Sequence, residues 1–331
     1  LIPRSNVASE TPLAELLKPL TPNETFFVRS HAREVPRIAA ADYCLTIAGV
    51  RGVRELTLAE LRSLPRIAQT ITLACAGNGR TAFDPVPSGV PWGMGAISTA
   101  HWEGTRLRDV LQLAGILENA AHAVFDGYDG PSHDGKPPYR RSLPLARALA
   151  DGTILADTMN GEPLPPEHGG PVRLVVGGWT ANHSMKWLRG IGFADRPDDG
   201  WWMNDYRVPG PDGAPRMIEA PAPIAILASP LFGETWARNA VLEGIAYGEP
   251  APARVRVDVD GANAGETEVR YGDGPYAWGR WSLRLALSPG PHRLAIRPVG
   301  ANGVAAPMRA SWNASGYRYD GPHLVDVVVS E

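Results

Sequence analysis

Cys75 is the residue in this 331-residue sequence with the most chemical promise. It closes a β-type run and is followed by Gly77, Asn78, Gly79 and Arg80. Glycines let backbone approach closely and an arginine favours a thiolate, so this thiol could be a nucleophile or a metal ligand. A free cysteine is also a small buried hydrophobe, and on these residues alone that plainer role is favoured. Cys44 alternates with Leu45, lacks such neighbours and reads as structural. His31, His168 and His183 lie in basic or glycine-rich surroundings, but no pair has the spacing of a zinc site. Each reads, alone, as a hydrogen-bonded structural histidine. Arg29, Arg80, Arg173 and Lys186 each sit within or just after an apolar segment. A cation in that position pairs with a carboxylate or binds an anionic ligand, and four together point towards an anion site. Asp129 lies in a Gly-Tyr-Asp-Gly turn, where aspartate usually caps its own backbone. Trp201, Trp202 and Tyr206 cluster in a loop and suit either a binding surface or the seal of a domain interface.

The elements that must hold these residues are short. Residues 1–24 are polar and proline-broken and read as an extended arm, followed by a strand-like run at 25–31. Strands are expected at 43–49, 68–74, 122–126 and 172–176, and helices at 57–63, 106–114 and 143–149. Thr57 with Glu60 three positions on forms a capping box, and Pro144 suits a helix start. The stretch 195–222 is rich in Pro, Gly and Asp, and the domain boundary is placed at its end, giving 1–218 and 219–331. Beyond it, β-type runs at 224–228, 241–247, 253–259, 266–270, 281–287, 292–297 and 323–329 alternate with turn signals. Arg254 to Val259 alternates strictly, and Asp260-Gly261 is a hairpin signal. This second domain reads as an immunoglobulin-like sandwich.

Composition sets outer bounds. The chain is 44% hydrophobic and 20% charged, with net charge -3, which gives no reason to expect nucleic acid or a membrane surface as partner. No run of about 18 apolar residues exists to span a bilayer. With 36 Gly and 32 Pro, ordered loops and short strands are favoured over long helices. Two cysteines cannot build a disulfide framework. The sequence begins at Leu1 without Met, and a periplasmic address is expected if a signal peptide has been removed.

Taken in order, the segments resemble the sulfite oxidase family along nearly the whole chain. Phe26-Phe27-Val28-Arg29-Ser30-His31 is similar to that family's phenylalanine-x-Arg-Asn-His motif, with Ser30 for Asn. Leu73-Ala74-Cys75-Ala76-Gly77-Asn78-Gly79-Arg80 resembles its Cys-Ala-Gly-Asn-Arg-Arg signature, with Gly79 for the first Arg. Trp92 to Ile97, Met159 to Pro165, His168 to Arg173 and Lys186-Trp187-Leu188 follow in the family's order. Trp312-Asn313, Gly316-Tyr317 and His323 resemble its closing motif.

The resemblance implies an α+β molybdopterin-binding domain of sulfite oxidase-like fold, then the all-β immunoglobulin-like sandwich, which mediates homodimers. It implies molybdenum chelated by molybdopterin, with Cys75 as thiolate ligand. Phe27, Val28, Arg29, Ser30, His31, Asp129, His168, Arg173, Ser184, Met185 and Lys186 match cofactor-holding positions. Arg29, Arg80, Tyr206 and Trp92 match the substrate pocket. His183 stands where many members have Arg, and Arg280 in Trp278-Gly279-Arg280-Trp281 is a candidate for a further pocket arginine. The implied reaction is sulfite oxidation to sulfate by oxygen-atom transfer. No Cys-x-x-Cys-His haem motif is present, so electrons are expected to pass to an external carrier such as a cytochrome. The alternative is a related reaction on another small oxyanion or a sulfoxide, such as nitrate reduction. From other classes, a cofactor-free binding protein and a cysteine hydrolase using Cys75 stand as rivals.

Overall fold

Strand-rich segments dominate the fold, as the frequency of turn-formers predicts. The computed structural model describes residues 1–230, 233–272 and 274–331. They divide into two compact units, each assembled from separated stretches. One comprises Leu1–Phe27, Ala74–Thr99 and Ala220–Glu331; the other comprises Val28–Leu73 and Ala100–Glu219.

The unit containing Val28–Leu73 and Ala100–Glu219 is α+β. Its mixed five-stranded sheet runs in the order Gly52–Thr57, Cys44–Gly49, Leu188–Ala194, His122–Gly127, Arg140–Pro144. Leu188–Ala194 is its pivot, parallel to Cys44–Gly49 and antiparallel to His122–Gly127. A second sheet is formed by Arg66–Ala74, Ile97–Arg106, Thr153–Met159 and Glu162–Pro163, with Arg173–Val176 also paired to Thr153–Met159. Leu45, Ile47, Phe125, Leu155, Leu174 and Ile191 from the two sheets bury one core with Leu107, Val110 and Leu111. Those three lie on helix Leu107–Ala114, at the spacing that puts them on one face. Helix Leu58–Ser63 has the expected capping box: Thr57 accepts from the Glu60 amide at 3.2 Å, and Glu60 accepts from the Thr57 amide at 2.8 Å. Such a cap contributes about 1 kcal/mol.

The other unit is built on a β-sandwich. One sheet runs Ile224–Ser229, Asn239–Tyr247, Gly279–Ala286, Arg270–Tyr271, and the other Thr235–Trp236, His323–Val329, Gly290–Val299, Arg254–Val259, Ala262–Glu268. Leu242, Val255, Val257, Trp281, Leu294 and Ile296 alternate inward from both. The Asp260-Gly261 hairpin forms as the sequence signalled, with φ of 50° and 85°, the left-handed pair of a tight two-residue turn.

Several expectations need correction. Residues 1–24 are not an arm: they contain strands Ile2–Ser5 and Ala8–Glu10 and a 3-10 turn Leu13–Leu17, and Leu16 is fully buried against Phe83, Ile226 and Trp278. The strand at 25–31 shrinks to Val28–Arg29, because Thr25 and Phe26 turn back to donate to the Pro22 carbonyl. The helix at 143–149 shortens to Leu145–Ala148, because strand Arg140–Pro144 at the edge of the mixed sheet captures Leu143 and Pro144. Strand Ile97–Arg106 escapes the sequence pattern. Its Ser98, Thr99 and Thr105 are buried and hydrogen-bonded, so no polar face alternates with an apolar one.

Candidate functional site

The residues singled out in the sequence fall into two groups, one in each unit. Phe27, Cys75, Arg80 and Trp92 belong to the unit with the sandwich, and Val28, Arg29, Ser30, His31, Asp129, His168, Arg173, Ser184, Met185, Lys186 and Tyr206 to the α+β unit.

Strand Arg66–Ala74 delivers Cys75 into a tight glycine loop. The Cys75 amide donates to the Ala96 carbonyl at 2.9 Å, its carbonyl accepts from Asn78, and the Asn78 side chain accepts from the Ala96 amide at 2.9 Å. The thiol is reduced and half-buried. Gly79 has φ of 81°, and a Cβ there would lie 2.9 Å from the Tyr319 ring. The arginine usual in the resembling motif therefore has no room here without displacing Tyr319. Arg80 is buried, and its donors go to backbone: Nε to Gly316 at 3.3 Å, and the two terminal nitrogens to Val90 at 3.1 Å and Ser315 at 2.9 Å. A guanidinium so engaged clamps its own loop. Trp92 is fully buried. Arg280 turns its guanidinium to the Lys18 carbonyl.

In the α+β unit, the single turn Pro166–His168 and strand Arg173–Val176 bring cations inside. Arg173 is 4% exposed; it donates to the carbonyls of His168 at 2.7 Å and Ser184 at 2.8 Å, while its buried Nε has no partner. Burial pulls its pKa down to about 9. Lys186 donates to the Glu167 carbonyl at 2.7 Å and lies against the Trp187 ring. Burial first, then repulsion from Arg173 and Arg29, pull its ammonium down to about 7. Asp129 is buried, and its carboxyl is pushed up to about 6 by burial, against the pull of its own amide and Lys186. Ser184 accepts from the Val176 amide at 3.0 Å, and Met185 turns its side chain into the core.

Arg29, His31 and Tyr206 form a hydrogen-bonded row: Arg29 donates to His31 Nδ1 at 3.1 Å, and His31 Nε2 lies 2.7 Å from the Tyr206 hydroxyl. Burial, and next the Arg29 charge, hold His31 well below the usual imidazole range, so it is neutral near pH 7. Guanidinium only donates, so Nδ1 accepts and the Nε2 proton goes to Tyr206. Ser30 is buried and accepts from the Ala32 amide, fixing the turn that follows Arg29.

Arg141 is the residue that sequence reasoning missed. Fully buried, it donates to the Trp202 carbonyl, reaches the His183 ring at 3.3 Å and lies over the Tyr206 ring. His183 in turn bonds the Ile218 carbonyl at 2.7 Å. A cation thus stands beside the histidine that replaces an arginine. The available signal was the charged pair Arg140-Arg141, just ahead of the helix expected at 143–149; only its placement on a strand turns Arg141 inward. Among the described residues, no three His, Cys, Asp or Glu side chains converge on a metal-sized space.

Comparison with known proteins fits this donor set. The family profile described as oxidoreductase molybdopterin binding domain matches residues 32–202. Mitochondrial sulfite oxidase of Homo sapiens is 36% identical over 343 residues, covering 94% of this chain; this chain spans 62% of that relative's length. The NADH nitrate reductase of Ulva prolifera is 35% identical over 214 residues, 60% of this chain and 24% of its own. The crystal structure of the sulfane dehydrogenase SoxCD from Paracoccus pantotrophus superposes with a TM-score of 0.84 at 26% identity, covering 99% of this chain and 86% of that one.

Proposed function

The chain belongs to the sulfite oxidase family of molybdopterin-binding oxidoreductases, and from that premise we propose that it oxidises sulfite to sulfate. Sulfite and water give sulfate, two protons and two electrons, and the electrons leave singly to an external carrier such as a cytochrome. The observation that carries the proposal is the cationic group of buried Arg173 and partly buried Lys186, set with His168, whose hydrogen bonds go to backbone carbonyls. An excess of cations out of water is costly until a counter-charge arrives, and a phosphate-bearing cofactor supplies it.

The donor set fits molybdopterin. Arg173, Lys186 and His168 would hold its phosphate, and Asp129 would accept from the donor edge of the pterin ring. Ser184 and Met185 would line it through backbone, as would Phe27, Val28 and Ser30. Cys75 would contribute the one protein thiolate. When bound, the molybdenum cofactor supplies oxygen-atom transfer and a two-electron store. The protein's part is position and charge: Arg29 attracts the anion, Tyr206 orients it with its hydroxyl tied to neutral His31, and buried Trp92 excludes water. Arg80, engaged with carbonyls, would contribute field more than free donors. Residues 1–218 would be the catalytic domain and 219–331 the homodimer-forming one.

A second reading, reaction with a different small oxyanion or a sulfoxide, is favoured by the algal nitrate reductase relationship and by the charge that Gly79 omits. Steady-state turnover of cofactor-loaded protein decides between them. Sulfite-dependent reduction of cytochrome c is expected; nitrate consumption with a reduced dye, without sulfite oxidation, would replace the first reading with the second.

A further inference from the structure

Within the α+β unit, an unbroken row of rings joins the His31 neighbourhood to the surface. Trp202 lies 4.2 Å from His31 between ring centroids, and Trp201 lies 4.5 Å from Trp202, edge to face. Tyr139 packs on both His31 and Trp202, at 5.4 and 5.0 Å. The inner tryptophan is pinned by its indole N–H to the Pro137 carbonyl at 2.7 Å. The outer one is 38% exposed.

The ground around Trp201 is acidic. Residues 195–205 carry Asp195, Asp198, Asp199 and Asp205 against Arg196 alone. Asp126, Asp195, Asp198 and Asp199 line a cavity of about 510 Å³ with Arg140 and Arg196. Arg140 is held by Asp126 and Asp198. Lys136, which lies 4.1 Å above the Trp201 ring, is neutralised by Asp134 at 2.7 Å. An exposed aromatic anchor on a segment of net negative charge suits a partner whose contact face is positive.

We propose that the Trp201 face docks a one-electron acceptor with a basic face, a ferric haem protein, and that the packed rings Trp201, Trp202 and His31 bridge electrons to it. The inference rests on the redox reading above. Each sulfite oxidised to sulfate releases two electrons, so two ferric haem proteins in turn are reduced to ferrous. The rings serve as a gap-free medium and are not themselves oxidised. Electronic coupling falls steeply across voids, and contact between rings leaves none.

The test uses cofactor-loaded protein, basic cytochrome c as probe, and two independent readouts: calorimetric binding, and sulfite turnover with cytochrome c or with ferricyanide. The variants are Trp201→Ala and the pair Asp195→Asn with Asp199→Asn, each checked for an unchanged melting profile. Loss of Trp201 should weaken cytochrome c binding and raise its KM about tenfold, leaving ferricyanide turnover unchanged. The charge pair should lower the association rate and flatten its dependence on salt. Unchanged binding and unchanged cytochrome KM in both variants would overturn the proposal. If sulfite supports neither acceptor while binding still depends on Trp201, the docking face stands and the sulfite reading falls.

Discussion

Two clusters of arginine, one on the sandwich sheets and one beside His168 and His183 in the α+β unit, are partnered in opposite ways. In the sandwich, Asp258 is 2% exposed and takes Arg256 at 2.8 Å and Arg297 at 2.8 Å, and Arg293 meets Asp326 through two bonds of 2.6 and 2.8 Å. In the α+β unit, Arg141 and Arg173 are more deeply buried, yet their hydrogen bonds go to carbonyls and a histidine ring. Around Asp258 the charges stabilise the fold and find their counter-ions within the chain. A charge set aside for a ligand carries its desolvation cost until the ligand arrives. Substitutions should therefore cost stability at the Asp258 cluster and cofactor or turnover at Arg173 and Lys186.

The largest effect is expected at Cys75. Cys75→Ala should lower sulfite turnover by more than the ~10–100-fold that loss of an outer partner of a metal costs. Its thermal midpoint should stay near that of the parent; steady-state kinetics and a melting curve check both. Next is Asp258→Ala, which strands two arginines and should destabilise by about 3–5 kcal/mol in urea unfolding. The folded fraction should keep its full pterin content, and a fall in pterin per folded chain would break the contrast between the units.

Lys186→Met should weaken retention of the phosphate-bearing cofactor by about 1.5–3 kcal/mol, read as pterin released on dialysis. The cofactor-free protein should be no less stable than its parent. A pH series adds a sign. Between about 7 and the ordinary value of 10.5, the unfolded chain binds a proton on Lys186 that the folded chain does not. Stability of the cofactor-free protein should therefore rise with pH across that window, and the slope should diminish in Lys186→Met. Asp129 works the other way: its folded value near 6 exceeds the ordinary 3.8, so its contribution falls as pH rises through that interval. The smallest effect is expected at Arg80→Lys. A lysine cannot serve the Gly316, Val90 and Ser315 carbonyls together, and about 1–3 kcal/mol of stability should be lost. An unchanged urea midpoint with a raised KM for sulfite would return Arg80 to a substrate-binding role.

How much of this was legible beforehand follows from range. The capping box at Thr57, the amphipathic helix at 107–114 and the Asp260-Gly261 hairpin are settled by residues within a few positions of each other, and the sequence displays them. Arg140–Pro144 is a strand because a distant strand, His122–Gly127, offers its edge, and no local pattern carries that information. The same holds for the site. The glycines around Cys75 marked a backbone that approaches closely, and the arginines hinted at an anion. That Arg80 is spent on carbonyls from residues 315 and 316 depends on the far end of the chain. Arg141 lies ahead of the helix expected at 143–149, where no periodicity marks a strand, so nothing local singles it out. Cys75, read locally, was an ordinary buried thiol; the ordered motifs around it, through their resemblance to one family, moved it to the centre of the account.

The central claim is that the α+β unit's buried cations exist to hold a molybdenum-bearing pterin. The most direct measurement is molybdenum and pterin content of the protein purified from a cofactor-competent host, for the parent chain and for Lys186→Met side by side. The account predicts stoichiometric molybdenum and pterin in the parent and a marked loss of both in a variant that remains folded. Parent protein that is folded and free of molybdenum and pterin would contradict it.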